Sequence, residues 1–134
     1  MSAVKNHWST VIVDGNNVMG AAVAGWWRDP AAAVRRLLDR IRCYVSTTGE
    51  VAELVLDVPD PDLPEEEYDG VVVRYATRRG RDAADDRIIE LLDNAARTIL
   101  VVTSDRDLAD RARDRGAEVI GAGTFLATLG RTGC

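Results

Sequence analysis

Three groups of aspartates, far apart in the chain, are the residues that could do chemistry together. Asp14 ends the run Thr10-Val11-Ile12-Val13 and is followed by Gly15-Asn16-Asn17. Asp82, Asp85 and Asp86 form a second group, and Asp105 and Asp107 a third, just after Ser104. Each group alone has a plain reading, as a strand-ending turn or as acids that the dipole of a helix N-terminus favours. Three carboxylates in the five residues from 82 to 86 exceed what capping needs. Crowded carboxylates repel one another unless a cation sits between them. An all-oxygen set without Cys or His suits Mg2+ or Mn2+ rather than zinc. One or two such ions can hold a phosphate ester, activate a water and stabilise the leaving oxygen.

Such a cluster needs a fold that gathers distant residues at one edge. Thr10 to Val13 is β-branched and bounded by turn formers, which predicts a strand buried on both faces. Asn16 to Ala24 suits a short helix or tight loop. Trp26 and Trp27 cannot share a face, so one packs while the other covers a surface or meets a partner, packing being the simpler expectation for each. Asp29-Pro30 opens a helix with an N-cap and a first-position proline. Val34, Leu37, Leu38, Ile41, Tyr44 and Val45 give it one apolar face, and Gly49 ends it. Val51 to Val58 predicts a second strand ending near Asp57, followed by a stiff acidic loop with Pro59, Pro61, Pro64 and three glutamates. A third strand follows at Val71 to Ala76, then the basic loop Thr77-Arg78-Arg79-Gly80-Arg81. A helix from about Ala83 to Ala95, a fourth strand at Thr98 to Thr103, a helix through Arg115 and a short strand at Glu118 to Ile120 come next. A last helical turn or two falls at Thr124 to Leu129.

Alternating strands and helices predict an α/β fold, a parallel sheet with helices on both faces and right-handed crossovers. Every strand-to-helix junction then lies on the carboxyl edge of the sheet. With the first strand beside the fourth, the switch point where such folds bind ligands lies between Asp14 and Asp105.

The length, 134 residues, fits one domain, 1–134, with a core at about 10–129. No apolar run reaches the length of a membrane span and no signal-peptide pattern opens the chain, so the cytoplasm is the expected compartment. Cys43 lies within a helical pattern and Cys134 is the last residue, which argues against a structural disulfide. His7, in a polar lead-in, is given no role. A net charge of −5 argues against a nucleic-acid surface, yet Arg74, Arg78, Arg79 and Arg81 crowd one segment. A mixed-sign surface that takes phosphate together with a cation fits both facts. For any single arginine, a salt bridge to a nearby acid is the simpler role.

Other chemistries lack their parts. There is no phosphate-binding glycine loop, no dinucleotide fingerprint and no histidine placed for a Ser or Cys triad. Receiver domains and haloacid-dehalogenase-type phosphatases also place an aspartate after the first strand. Those folds use a lysine late in the chain, and here the single lysine is Lys5.

Asp14-Gly15-Asn16-Asn17-Val18, Ala84-Asp85-Asp86-Arg87-Ile88 and Thr103-Ser104-Asp105-Arg106-Asp107-Leu108 resemble, in that order, three motifs of NYN domains in the PIN-like nuclease superfamily. The bacterial YacP-like ribonucleases are the nearest group, and the resemblance covers residues 10–129. It implies a single three-layer domain with about five strands in the order 3-2-1-4-5, and RNA cleavage that depends on Mg2+ or Mn2+. It carries metal binding and catalysis onto Asp14, Asp85, Asp86 and Asp105. Asn17 would orient a carboxylate or the substrate, and Ser104 would cap the following helix and hold Asp105. Arg74, Arg78, Arg79 and Arg81 would then contact RNA phosphates. PIN proteins often carry another acid in the helix after the first strand, and Val18 to Trp26 has none. The chain is also short for a YacP-like protein. The leading expectation is a metal-dependent endoribonuclease. The alternatives are an RNA-binding module that keeps the fold without cleaving, and a metal-dependent phosphatase of small molecules. Membrane partners are not expected, and a ribosome or a second copy as the context that delivers substrate stays open.

Overall fold

The strands are β1 (Thr10–Asp14), β2 (Ala52–Leu56), β3 (Glu67–Tyr68), β4 (Val71–Tyr75), β5 (Ile99–Val102) and β6 (Glu118–Ile120). The helices are α1 (Gly15–Ala22), α2 (Pro30–Thr48), α3 (Ala83–Asp93), α4 (Arg106–Asp114) and α5 (Ala122–Arg131), with a 3-10 turn at Trp26–Arg28. The computed structural model describes residues 10–80, 82–94 and 98–134; the lead-in with Lys5 and His7, Arg81 and Ala95 fall outside these.

One sheet runs in the order β3-β4-β2-β1-β5-β6. Its four parallel pairings place β4, β2, β1, β5 and β6 side by side, the 3-2-1-4-5 arrangement with helices on both faces. β1 is central because all five of its residues are buried. Two apolar layers result. Val11, Val13, Leu54, Val73 and Val102 face α1, α2 and α5, whereas Ile12, Val55 and Val101 face α3 and α4. The period-two alternation of a strand thus feeds a different layer at every residue.

The helix signals act as read. Asp29 accepts the Ala32 N–H at 3.2 Å, Pro30 takes the first turn, and Gly49 ends α2 at φ 78°. Leu37, Leu38, Ile41, Tyr44 and Val45 fill the core side of α2. Gly15 answers to space. A Cβ there would lie 2.6 Å from Leu56 Cδ2 and 2.9 Å from the Val55 carbonyl, so only glycine lets α1 start this close to β2.

Three findings depart from expectation. A sixth strand, β3, pairs antiparallel with β4 through a two-residue turn, Asp69-Gly70, whose φ values are 51° and 92°. Positive φ at both central residues is what a type I′ hairpin requires, and Asp-Gly supplies it. Cys43 and Cys134 are joined in a disulfide, with Cα atoms 5.7 Å apart. The end of the chain folds back onto α2, where Arg40 Nε also donates to the Cys134 carbonyl at 2.9 Å. Trp26 packs against the core, but Trp27 is 63% exposed. Among the described residues no helix is long and apolar enough to cross a membrane.

Candidate metal centre

The crevice forms where β1, β2 and β5 stop. Asp14 is the last residue of β1, one position beyond the final β1–β5 pair, Val13 with Val102. Two asparagines then tie the neighbouring strand ends to α1. Asn16 Oδ1 accepts the Asp57 N–H at 3.0 Å, just past β2, and Asn17 Oδ1 accepts the Ser104 N–H at 2.8 Å, just past β5. Thr103 completes the brace. Its hydroxyl donates to Asp14 Oδ2 at 2.8 Å and accepts the Asp105 N–H at 3.1 Å, so one buried side chain sets the spacing of two acids.

Asp105 caps α4, its Oδ1 accepting the Leu108 N–H at 3.1 Å. That replaces the capping expected of Ser104, whose Oγ accepts the Ala122 N–H at 2.8 Å and anchors the start of α5 instead. At α3 the N-cap residue, Asp82, makes no side-chain cap. Asp57 does that work from across the crevice, its Oδ1 accepting the Ala84 N–H at 3.1 Å. The Asp82 carboxylate is therefore left to the cluster, and its backbone stands in the left-handed region at φ 59°.

One carboxylate oxygen from each of Asp82, Asp85 and Asp105 lies within 4.8 Å of the others. Oxygens that share one Mg2+ or Ca2+ at 2.0–2.6 Å are at most about 4–5 Å apart, so the spacing and the donor type both fit a hard divalent cation. Asp14 adjoins this set and is 4% exposed; Asp85 is 7% exposed. Burial pushes the Asp14 carboxyl up to about 6, against the pull of the Thr103 hydroxyl, with Asp57 and Asp105 adding to the rise. Burial likewise raises Asp85 to about 7, helped by the negative charges of Asp14, Asp105, Asp82 and Asp57. No arginine forms a salt bridge with these five acids among the described residues.

Asp86 stands apart. It faces Arg78 and Arg111, and the Arg78 hydrogen bond, with help from Arg111, holds its carboxyl below the usual range despite some desolvation. Arg74 is paired with Glu53 on the neighbouring strand. Arg79 is exposed in the loop after β4, beside Arg78, and Arg81 lies outside the described residues. The structure thus brings Asp14, Asp85 and Asp105 together and separates Asp86 from them. It adds Asp57 and Thr103, which sequence reasoning did not select, and Asp82, which the sequence grouped with Asp85 and Asp86 but which the resemblance did not carry into the metal set.

A YacP-like NYN domain matches residues 11–133, almost the whole chain. The chain belongs to the YacP-like NYN family. NYN domains are generally nuclease folds, and an acidic cluster at the sheet edge is in keeping with that. Among solved structures, Rae1 (YacP) from Bacillus subtilis is similar, with 26% identity and a TM-score of 0.71 over 92% of this chain and 74% of that one. A tryptophan-to-leucine variant of the same protein matches with 26% identity and a TM-score of 0.70, covering 92% and 75%. No curated protein is a significant match. The similarity to these NYN structures is in keeping with the α/β fold of this chain.

Proposed function

We propose that this NYN domain is a metal-dependent endoribonuclease. The observation that carries the reading is the convergence of Asp14, Asp82, Asp85 and Asp105 at the switch point, with no salt bridge to an arginine among the described residues. Mg2+ or Mn2+ held there would supply phosphate binding, water activation and charge stabilisation at the leaving oxygen. The chain's own residues do the rest. Thr103 fixes Asp14 against the start of α4. Leu108 and Ala84 each occupy one oxygen of Asp105 and Asp57, so those carboxylates present their remaining oxygens in one orientation. Asn17 holds the β5 exit against α1, which keeps Asp105 near Asp14. Arg78 and Arg79 offer phosphate contacts beside the crevice, a charge-assisted interaction that Asp-only sites lack.

The test is cleavage of single-stranded and structured RNA with Mg2+, with Mn2+ and with chelator, beside a small phosphomonoester. Metal-dependent cleavage of RNA alone is expected. RNA bound but not cut with either ion would make the protein an RNA-binding module. Turnover of the phosphomonoester with no gain from polymer would make it a phosphatase.

A further inference from the structure

Asp86 sits one residue from Asp85, yet its carboxylate serves two arginines. Oδ2 accepts Arg78 Nε and Nη2 at 2.9 and 2.6 Å, and Oδ1 accepts Arg111 Nη2 at 3.3 Å. Arg78 comes from the loop after β4, Asp86 from the first turn of α3, and Arg111 from the second turn of α4. Three elements that border the acidic crevice therefore meet at one carboxylate. The Arg78, Asp86 and Arg111 side chains are 48%, 39% and 34% exposed, so the cluster faces solvent. Arg78 is further steadied by the Arg79 carbonyl, which accepts its Nη1 at 3.2 Å.

A second observation places Arg78 beside the acids. A groove of about 610 Å3 is lined by Asp57, Val58, Pro59, Arg78, Arg79 and Gly80, so an acid of the cluster and the Arg78 guanidinium share it, with Arg111 joined to Arg78 through Asp86. A strand with one phosphate at the metal centre would lay a neighbouring phosphate along that groove. Planar guanidiniums held in fixed orientation bind phosphate oxygens in pairs of hydrogen bonds, whereas free arginines first lose side-chain entropy.

We propose that Arg78 and Arg111 form a seat for the phosphate next to the scissile one, and that Asp86 is a positioning residue that holds them and does not ligate metal. The inference rests on the nuclease reading of the crevice. Mn2+ binding by calorimetry, the salt dependence of binding to a fluorescein-labelled oligouridylate with Ca2+ in place of Mn2+, and kcat and KM for its cleavage test it. Arg78→Ala and Arg111→Ala should each flatten the salt slope by roughly 0.7–1. Asp86→Asn should bind Mn2+ as wild type does while Asp85→Asn loses it. The same Asp86→Asn should leave KM little changed and lower kcat about tenfold, with part regained in Asp86→Glu, because misplaced contacts cost rate before affinity.

Lost Mn2+ binding in Asp86→Asn would make Asp86 a ligand and overturn the proposal. Unchanged salt slopes in both arginine variants would reduce the cluster to a surface tether, and an unchanged kcat in Asp86→Asn would remove the positioning role. If wild type binds Mn2+ and oligouridylate but cleaves nothing, the nuclease reading falls, and the Mn2+ titration and salt slopes still decide the seat.

Discussion

Acids on most of this molecule and acids at the crevice live under opposite rules. Around the surface, carboxylates are met by arginines: Asp39 and Asp69 by Arg42, Asp60 by Arg35, Glu53 by Arg74, Asp93 by Arg115, Asp110 by Arg113. At the crevice Asp14, Asp57, Asp82, Asp85 and Asp105 face one another instead. The contrast is sharpest between neighbours on α3, where Asp85 is raised by burial and like charges while Asp86 is lowered by two guanidiniums. Arginines are therefore not scarce. Among the described residues they pair with acids outside the crevice and form no salt bridge with its five aspartates, and exposed pairs of this kind add little stability anyway. On the proposed reading, a divalent cation is what would relieve the repulsion at the crevice.

The largest effect that could break this contrast is on activity. Asp14→Asn is nearly isosteric and keeps the Thr103 hydroxyl supplied with an acceptor, yet removes a charge from the cluster. Metal-dependent RNA cleavage should fall roughly a hundredfold or more, since the metal carries most of the transition-state stabilisation. Asp107→Asn, on the exposed side of the first turn of α4, should keep most of it. Equal activity in both variants would show that the site lies elsewhere. Next in size is binding itself. Millimolar Mn2+ should raise the thermal midpoint by several degrees through mass action, and the gain should vanish in Asp85→Asn. A midpoint indifferent to metal in wild type would remove the distinction between the two kinds of acid.

How much of this contrast was legible depends on whether side-chain direction mattered. Strand ends and helix starts follow from apolar periodicity, so the arrival of Asp14, Asp85 and Asp105 at one edge could be read from topology alone. Asp85 and Asp86 could not be told apart, because one step along a helix turns the side chain by about 100° and only the packing of α3 sets which one points inward. Asp57 did leave a signal: Val55-Leu56-Asp57 repeats the pattern of Ile12-Val13-Asp14, a buried strand closed by an acid on the same edge. The hairpin at Asp69-Gly70 was legible too, from a turn dipeptide before a strand. The Cys43–Cys134 bond was not, since the two residues are 91 positions apart and meet only because the chain end after α5 returns to α2.

Titration sharpens the same comparison. Asp14 and Asp85 bind protons more tightly in the folded chain than in the unfolded one, so their contribution to metal-free stability is fully present below about pH 4 and is lost as pH rises through about 6 and 7. Asp14 alone should cost roughly 1–3 kcal/mol across that window. Asp86 has the reverse sign, but its contribution is lost only as pH falls below the normal carboxylate range, outside this window. In chelator, the thermal midpoint should therefore be higher at pH 5 than at pH 8. With Mn2+ present the order should invert, because metal and protons compete for the same oxygens. A chelated protein more stable at pH 8 would place these carboxylates under the surface rule after all.

The smallest effect concerns the one acid of the cluster whose backbone is strained. Asp82 stands at φ 59°, a region that side chains other than glycine enter at a cost, although Asp and Asn tolerate it best. Its carboxylate caps nothing, since Asp57 serves the α3 N-terminus. Asp82→Gly therefore removes strain and one repelling charge, offset by the greater freedom of glycine in the unfolded chain. In chelator the variant should be more stable by about 0.5–1 kcal/mol, a rise of roughly 2–5 °C in midpoint for a chain of this size. In Mn2+ it should gain less than wild type does, because a ligand is missing. The crossing of the two variants' midpoints between chelator and metal is the signature of a residue kept for binding at the expense of the fold. A lower midpoint in both conditions would mean that Asp82 supports the α3 N-terminus, and an undiminished Mn2+ gain would mean that the cation is held without it.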